Sequence, residues 1–300
     1  MRVTKVILIS AVIGCAIACT SNSPKQEKAT SVTQSFQEHS TIAHHQIALE
    51  VIKASKDWIN NFNNGNVEAC VNGYTKEAIL RTLPFGLKKG RKEISDFWTP
   101  FIKSGATNLI YTNPSVEVVD EKTALLSANW SMNVGRGVIY QEKWEKIDGK
   151  WLLTYDDFEV LEQFNSPQEN KTNPTASHEM LVEVIEASID WINEFNKQKA
   201  DVCAKGYTIN ATMNAVPFVS ANGQEEIHGF WEKLIADGAK NLTYHNPTFK
   251  VITDHTVLLS SSWSMNIGEG KIFQEKWVLK NGNWLLNYDE FKVLKQYNDR

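Results

Sequence analysis

The side chains with the most chemical potential occur twice. Asp156 and Asp289 each precede a second acid, Asp157 or Glu290, within an aromatic stretch near the end of its half of the chain. On a strand, neighbours point to opposite faces, so one acid of each pair turns toward an enclosed side and the other away. Alternation alone does not say which. A carboxyl group in an apolar pocket has a raised pKa and can give or take a proton near neutrality. Trp98, Trp130, Trp151 and Phe158 are the candidate walls. The alternative is a strand acid that pairs with Lys143 or Lys276, or is solvated. Glu142 shares a strand face with Tyr140 and Trp144, so Glu142 and its counterpart Glu275 are either buried and functional or exposed beside an amphipathic stripe. Tyr111 with Asn113, Tyr244 with Asn246, and Tyr74 and Tyr207 offer hydroxyl and amide groups that can orient a ligand; ordinary strand and loop structure is the other reading. Trp98, Trp130, Trp151, Trp231, Trp263 and Trp284 are candidate ligand contacts, with core packing as the alternative.

Other chemistries find little support. His228 aligns with Ser95, His245 with Thr112 and His255 with Lys122, so no histidine is expected to be shared between the two halves. His44 and His45 read as linker residues. No Cys/His or His/carboxylate spacing suggests zinc or iron, and no glycine-rich phosphate loop or nucleophile elbow occurs. No cofactor is expected. Cys70 and Cys203 occupy equivalent places and read as buried free thiols, one per half.

The elements that must position these groups are set by an internal repeat. Trp58 recurs as Trp191, and the same offset pairs Trp98 with Trp231, Trp130 with Trp263, Trp144 with Trp277 and Trp151 with Trp284. That accounts for all 10 tryptophans. Gln141-Glu142-Lys143-Trp144 recurs as Gln274-Glu275-Lys276-Trp277. A period this long means tandem domains rather than a solenoid. The expected boundaries are 46–165 and 179–300, with a linker over 166–178. Each copy reads helix first: Ile47, Val51, Ile52, Ser55, Ile59 and Phe62 fall at helical spacing. A short helix over 67–72, a strand over 74–85, a third helix over 91–104 and four β-rich runs follow. Turns are expected at Asp120-Glu121, Gly135-Arg136 and Asp148-Gly149. Consecutive hairpins give an antiparallel sheet, and helices on one face make the class α+β.

This order resembles the SnoaL-like branch of the nuclear transport factor 2-like (NTF2-like, cystatin-like α+β) superfamily. The resemblance rests on two helices, Gly73-Tyr74-Thr75, Pro84-Phe85, Gly90, Glu93-Ile94, Phe97-Trp98 and a last strand opening Gly149-Lys150-Trp151-Leu152-Leu153. It implies a curved sheet wrapped around a long helix, enclosing a conical pocket, and a chain able to imitate a dimer within one molecule. It also implies that Asp156 and Asp289 could move a proton beside a carbonyl, with Tyr111 and Tyr244 as orienters. Two departures follow. The acid that relatives place soon after the first-strand Tyr is missing from the second copy, and Asp stands in the last strand where many relatives have His. Arg81, Phe101 and Asn129 face Asn214, Leu234 and Ser262; if these line the pockets, the copies take different ligands.

The N-terminus carries Arg2 and Lys5, then an apolar run over 6–18, then Ala-Ile-Ala-Cys19 before polar Thr20-Ser21-Asn22-Ser23. That is the layout of a secretory signal. It resembles a bacterial lipobox, with Cys19 preferred to Cys15 as the lipidated residue and residues 1–19 as the signal peptide; an ordinary cleaved signal is the alternative. By that resemblance, the absence of Asp after Cys19 suits an outer-membrane lipoprotein of a Gram-negative host. Residues 20–45, rich in Ser, Thr, Gln and Lys, read as a flexible tether. The 300 residues are 42% hydrophobic with a formal charge of −4, a globular composition long enough for two cores and without the electrostatic footprint of a nucleic-acid binder. Three functions remain open: binding of a small, partly apolar ligand, a non-catalytic envelope scaffold, and an isomerase-like or cyclase-like proton-transfer enzyme.

Overall fold

The computed structural model describes residues 40–168 and 172–297. The expected signal, both lipidation candidates and residues 20–39 of the expected tether lie outside the described residues. Helix α1 (Ala43–Asn63) buries Ile47, Val51, Ile52, Ile59 and Phe62 along one stripe, as their spacing requires. It starts before the expected boundary at 46, so His44 and His45 belong to this helix and not to a tether. In α2 (Val67–Asn72), the Asn66 side chain caps the first turn by accepting from the Ala69 amide at 3.2 Å. The Trp58 indole donates to the Cys70 carbonyl at 3.1 Å, locking α1 to α2. Cys70 and Cys203 are buried and free.

Strand β1 (Tyr74–Leu83) and β2 (Gly86–Lys89) form a short hairpin that the pattern did not reveal. Then come α3 (Gly90–Lys103), β3 (Ile110–Asp120), β4 (Thr123–Met132), β5 (Gly135–Ile147) and β6 (Lys150–Gln163). The second half repeats this as α4 (Ala176–Asn196), α5 (Ala200–Lys205), β7 (Tyr207–Val216), β8 (Val219–Asn222), α6 (Gln224–Ala236), β9 (Thr243–Thr253), β10 (Thr256–Met265), β11 (Gly268–Lys280) and β12 (Asn283–Gln296). Helix α4 begins inside the expected linker.

Strands β3 to β6 form the expected meander, but β1 pairs with β6 in parallel, as β7 does with β12. Among the described strands these parallel pairs are the departure from an antiparallel sheet, and the first places Leu80 opposite Asp156 and Arg81 opposite Asp157. The 12 strands form one sheet in the order β2-β1-β6-β5-β4-β3-β9-β10-β11-β12-β7-β8, mirrored about its centre. The halves join edge to edge, with Val116 of β3 opposite Phe249 of β9. Helices α1 and α4 touch each other, and each touches both central strands, so they cover one face of that seam.

Gly135 is not in a turn. The reversal occurs at Asn133-Val134, and Gly135 and Gly137 lie in β5. A Cβ on Gly137 would sit 1.9 Å from the Glu159 carbonyl and 2.6 Å from the Trp130 ring. These glycines permit close approach of β6 rather than chain reversal. Asp148-Gly149 is a turn, with φ of 50° and 78°, the two positive values a type I′ hairpin needs.

Candidate functional site

Strand β6 decides where each acid points. An irregularity in the β5–β6 register between Trp144 and Lys143 leaves Leu153 buried, then brings Asp156 onto the pocket side with Phe158 and Val160. Asp157 takes the other face. There it accepts from Arg81 at 2.7 Å and from Tyr155 at 3.1 Å. Arg81 therefore stands outside the pocket. Neither Lys143 nor Lys276 reaches the pocket acid; Lys143 pairs with Glu145 at 2.6 Å.

Asp156 accepts from the Tyr74 hydroxyl at 2.6 Å. Directly opposite on β5 is Glu142, which accepts from Tyr111 at 2.7 Å and from the Trp144 indole at 2.9 Å. The second half repeats the set: Tyr207 to Asp289 at 2.7 Å, Tyr244 to Glu275 at 2.6 Å, Trp277 to Glu275 at 2.9 Å. Burial pushes Glu142 above the usual carboxylate range, and the charge of Asp156 pushes it further. Burial also raises Asp156, against the hydrogen bond from Tyr74 that favours its ionised form. Two adjacent buried carboxyls resist losing both protons. Tyr74 and Tyr111 are raised well above the usual tyrosine value, first by burial and then by these acids, so they stay protonated and act as donors.

The cavity above this floor has a volume of about 370 Å³ in the first half and about 660 Å³ in the second. In the first, Trp98, Trp130, Phe97, Phe101 and Phe158 make the walls, with Asp156 and Tyr111 below. Trp231, Trp263, Phe230, Leu234, Phe291, Asp289 and Tyr244 line the second. Tyr74, Glu142, Tyr207 and Glu275 stand behind the floor and hold the residues that line it.

Several expected contacts lie elsewhere. Trp151 and Trp284 lie against the long helices and donate to Glu50 at 2.7 Å and to Glu183 at 2.9 Å, away from the cavities. Tyr140 is not on the face of Glu142, because a register shift between Ile139 and Gln141 turns it outward and leaves it exposed. Asn129 is likewise exposed, and Asn113 adopts φ 50° away from the cavity. Of the three differences between copies, only Phe101/Leu234 lines a pocket. Trp58, Phe97 and Leu109 were missed as lining; each lies on a stripe that reads as core.

Histidine is shared after all. His45 and His178 occupy equivalent places in α1 and α4, and both are fully buried. The repeat offset, carried a few residues upstream of Ile47, finds them.

No protein-family profile matches the sequence, and no curated protein matches it. Among solved structures, an NTF2-like protein with a cystatin-like fold from Novosphingobium aromaticivorans is 14% identical over 43% of this chain and 92% of its own, with a TM-score of 0.36. A cystatin-like protein from Nostoc punctiforme is 17% identical over 37% and 89%, with a TM-score of 0.34. An NTF-2-like protein from Shewanella oneidensis MR-1 is 20% identical over 37% and 96%, with a TM-score of 0.33. In its own order of helices and strands, stated twice, this chain is α+β and similar to two tandem NTF2-like domains.

Proposed function

We propose that this is an exported, lipid-anchored protein whose two pockets each hold a small, partly apolar molecule. The observation that carries the reading is an open aromatic cavity in each half with one carboxyl group on its floor. Such a concave, apolar space with few polar groups is what small-molecule sites look like. The scaffold reading draws on collapsed pockets, and these are open. The anchoring half of the proposal rests on Ala-Ile-Ala-Cys19 and the apolar run before it; it places the protein at the cell envelope, on the periplasmic side of the outer membrane in a Gram-negative host. The two halves, joined edge to edge through β3 and β9, are read as doing within one chain what a dimer does between two.

Mass spectrometry of organic extracts from the purified protein tests the ligand reading. A co-purifying apolar compound, retained in stoichiometric amount, is the expected result. For the anchor, Cys19→Ser should release the protein from the membrane fraction and abolish labelling by fatty acid.

Proton transfer is a second reading, favoured by the position of Asp156 and Asp289 inside the cavities with their pKa raised by burial. It requires that the protein speed deuterium exchange beside the carbonyl of a bound ketone and that Asp156→Asn with Asp289→Asn abolish this.

A further inference from the structure

We propose that the pockets select an uncharged apolar molecule ending in a single hydroxyl group, held between the floor carboxyl and the indole N–H of Trp263 in the second half and of Trp130 in the first. The proposal rests on the ligand-binding reading above and names the ligand's class. Buried polar atoms nearly always find partners. The second pocket breaks that rule three times: Trp263 Nε1, Asp289 Oδ1 and Trp231 Nε1 are buried without a hydrogen-bond partner, on side chains only 5%, 4% and 4% exposed that line the same cavity. Every other polar group of the floor is spent. Tyr207 donates to Asp289 Oδ2, and Tyr244 and Trp277 take the two oxygens of Glu275. With Trp231 set aside for the reason given below, what remains is one donor and one acceptor. In the first pocket the donor alone recurs: Trp130 Nε1 is buried and unpartnered above Asp156, but neither Asp156 oxygen is both buried and unpartnered. Trp231 Nε1 also lacks a partner, but its counterpart Trp98 donates to the Tyr74 hydroxyl at 3.3 Å, so a tyrosine oxygen is the natural partner at that position.

A hydroxyl group donates one hydrogen bond and accepts others, so one such group satisfies both orphans together. A hydrocarbon satisfies neither. An ether accepts from the indole but gives nothing to Asp289. A carboxylate brings a negative charge into apolar surroundings that already resist ionisation of the Asp289–Glu275 pair, where an unpaired charge is costly. Phe230, Phe291, Leu234 and Met265 then enclose the apolar body.

Isothermal titration of the full chain in detergent with biphenyl, 4-phenylphenol, 4-methoxybiphenyl and biphenyl-4-carboxylate at neutral pH tests this. The phenol should bind at least about fivefold more tightly than biphenyl, the change expected from satisfying buried polar groups. The methyl ether should fall back toward biphenyl, and the carboxylate should bind most weakly. Trp130→Phe with Trp263→Phe should erase the phenol's advantage over biphenyl, whatever happens to biphenyl affinity itself, and an unchanged circular-dichroism spectrum and denaturation midpoint report that the chain still folds. Equal affinity of phenol and biphenyl for the unaltered protein, or an advantage that survives the double substitution, overturns the hydroxyl proposal and leaves the binding reading standing. Failure of all four to bind overturns both.

Discussion

His45 Nε2 lies 3.0 Å from Ser188 Oγ, and Ser55 Oγ lies 3.0 Å from His178 Nε2. Each half of the chain thus sends a histidine to the other half's serine, and the two bonds are equivalent under the repeat. They sit on the buried faces of α1 and α4, where the other ring nitrogen of each histidine has no partner. Ser188→Val therefore leaves both nitrogens of His45 unsatisfied, and Ser55→Val does the same to His178. Each should cost about 1–3 kcal/mol, read as a shift in denaturation midpoint. Because each bond crosses between halves, the loss should appear in the unfolding of the whole chain rather than of one half.

The same histidines work against stability in acid. Burial, reinforced by the positive charge available to His44, holds His45 at about 3; burial, with Lys56 next, holds His178 at about 4. Both lie below the unfolded value, so the unfolded chain binds more protons as pH falls below about 6.5. The stability these groups contribute is fully present above that pH and is lost on acidification. Between pH 6.5 and 4.5 the loss should reach roughly 2–3 kcal/mol per histidine. The buried carboxyls titrate over the same range with the opposite sign, so the histidine share is read as a difference: in denaturant melts from pH 6.5 to 4.5, acidification should favour His45→Asn over the unaltered protein by roughly 2 kcal/mol.

The carboxyl pairs act in the opposite sense. Glu142, Asp156, Glu275 and Asp289 all have raised folded pKa values, so the folded chain holds protons that the unfolded chain has lost above about pH 4.5. Their contribution is present below that pH and fades as pH rises through neutrality. Their share of stability should therefore decline from about pH 4.5 to 8, and Glu142→Gln with Glu275→Gln should flatten that decline. An unchanged slope over this range in the double variant would show that the pairs are not the protons involved.

Periodicity made the long helices and the meander legible, because Ile47, Val51, Ile59 and Phe62 repeat at helical spacing and the late strands alternate. It failed where a strand breaks its own period. The register shift beside Ile139 moved Tyr140 off the face of Glu142, and no residue type marks it. Gly135 read as a turn because glycine serves both turns and close contacts. Which of Asp156 and Asp157 faces inward depends on the β5–β6 register, which is a tertiary property. His45 and Ser188 were hidden for a different reason: they are 143 residues apart and meet only when α1 packs on α4.

Gly137 should be the least replaceable glycine of the first half. With alanine there, the added Cβ meets the Glu159 carbonyl at 1.9 Å, and both the backbone of β6 and the Trp130 ring must move. Overpacking of this kind costs roughly 1–3 kcal/mol or more. Gly149→Ala is the comparison, since nothing lies near its Cβ and only its φ of 78° resists, at about 1–2 kcal/mol. Gly137→Ala should also blunt the Trp130 response to ligand, while Gly149→Ala leaves it intact. Fluorescence titration on both variants separates loss of fold from loss of pocket.

The difference between the two cavities has a local cause that can be exchanged. Phe101 lines the first pocket, packed 6.3 Å from Phe62 and 6.0 Å from Trp98 between ring centroids, and Leu234 replaces it in the second. Phe164 also lines the first pocket, whereas its counterpart Tyr297 turns away and donates to Glu269 at 2.7 Å. Two aromatic rings that narrow the first cavity are thus absent from the second. Phe101→Leu with Phe164→Ala should let the first pocket accept ligands as long as those the second accepts. Leu234→Phe should exclude the longest ones from the second. With a series of straight-chain alcohols of increasing length, the unaltered protein should show a stoichiometry of two that falls to one beyond a threshold length. The first pair of substitutions should hold it at two past that threshold. Leu234→Phe should lower the length at which the last site is lost. A threshold that none of these changes moves would place the size difference in the backbone of β8 and α6 instead.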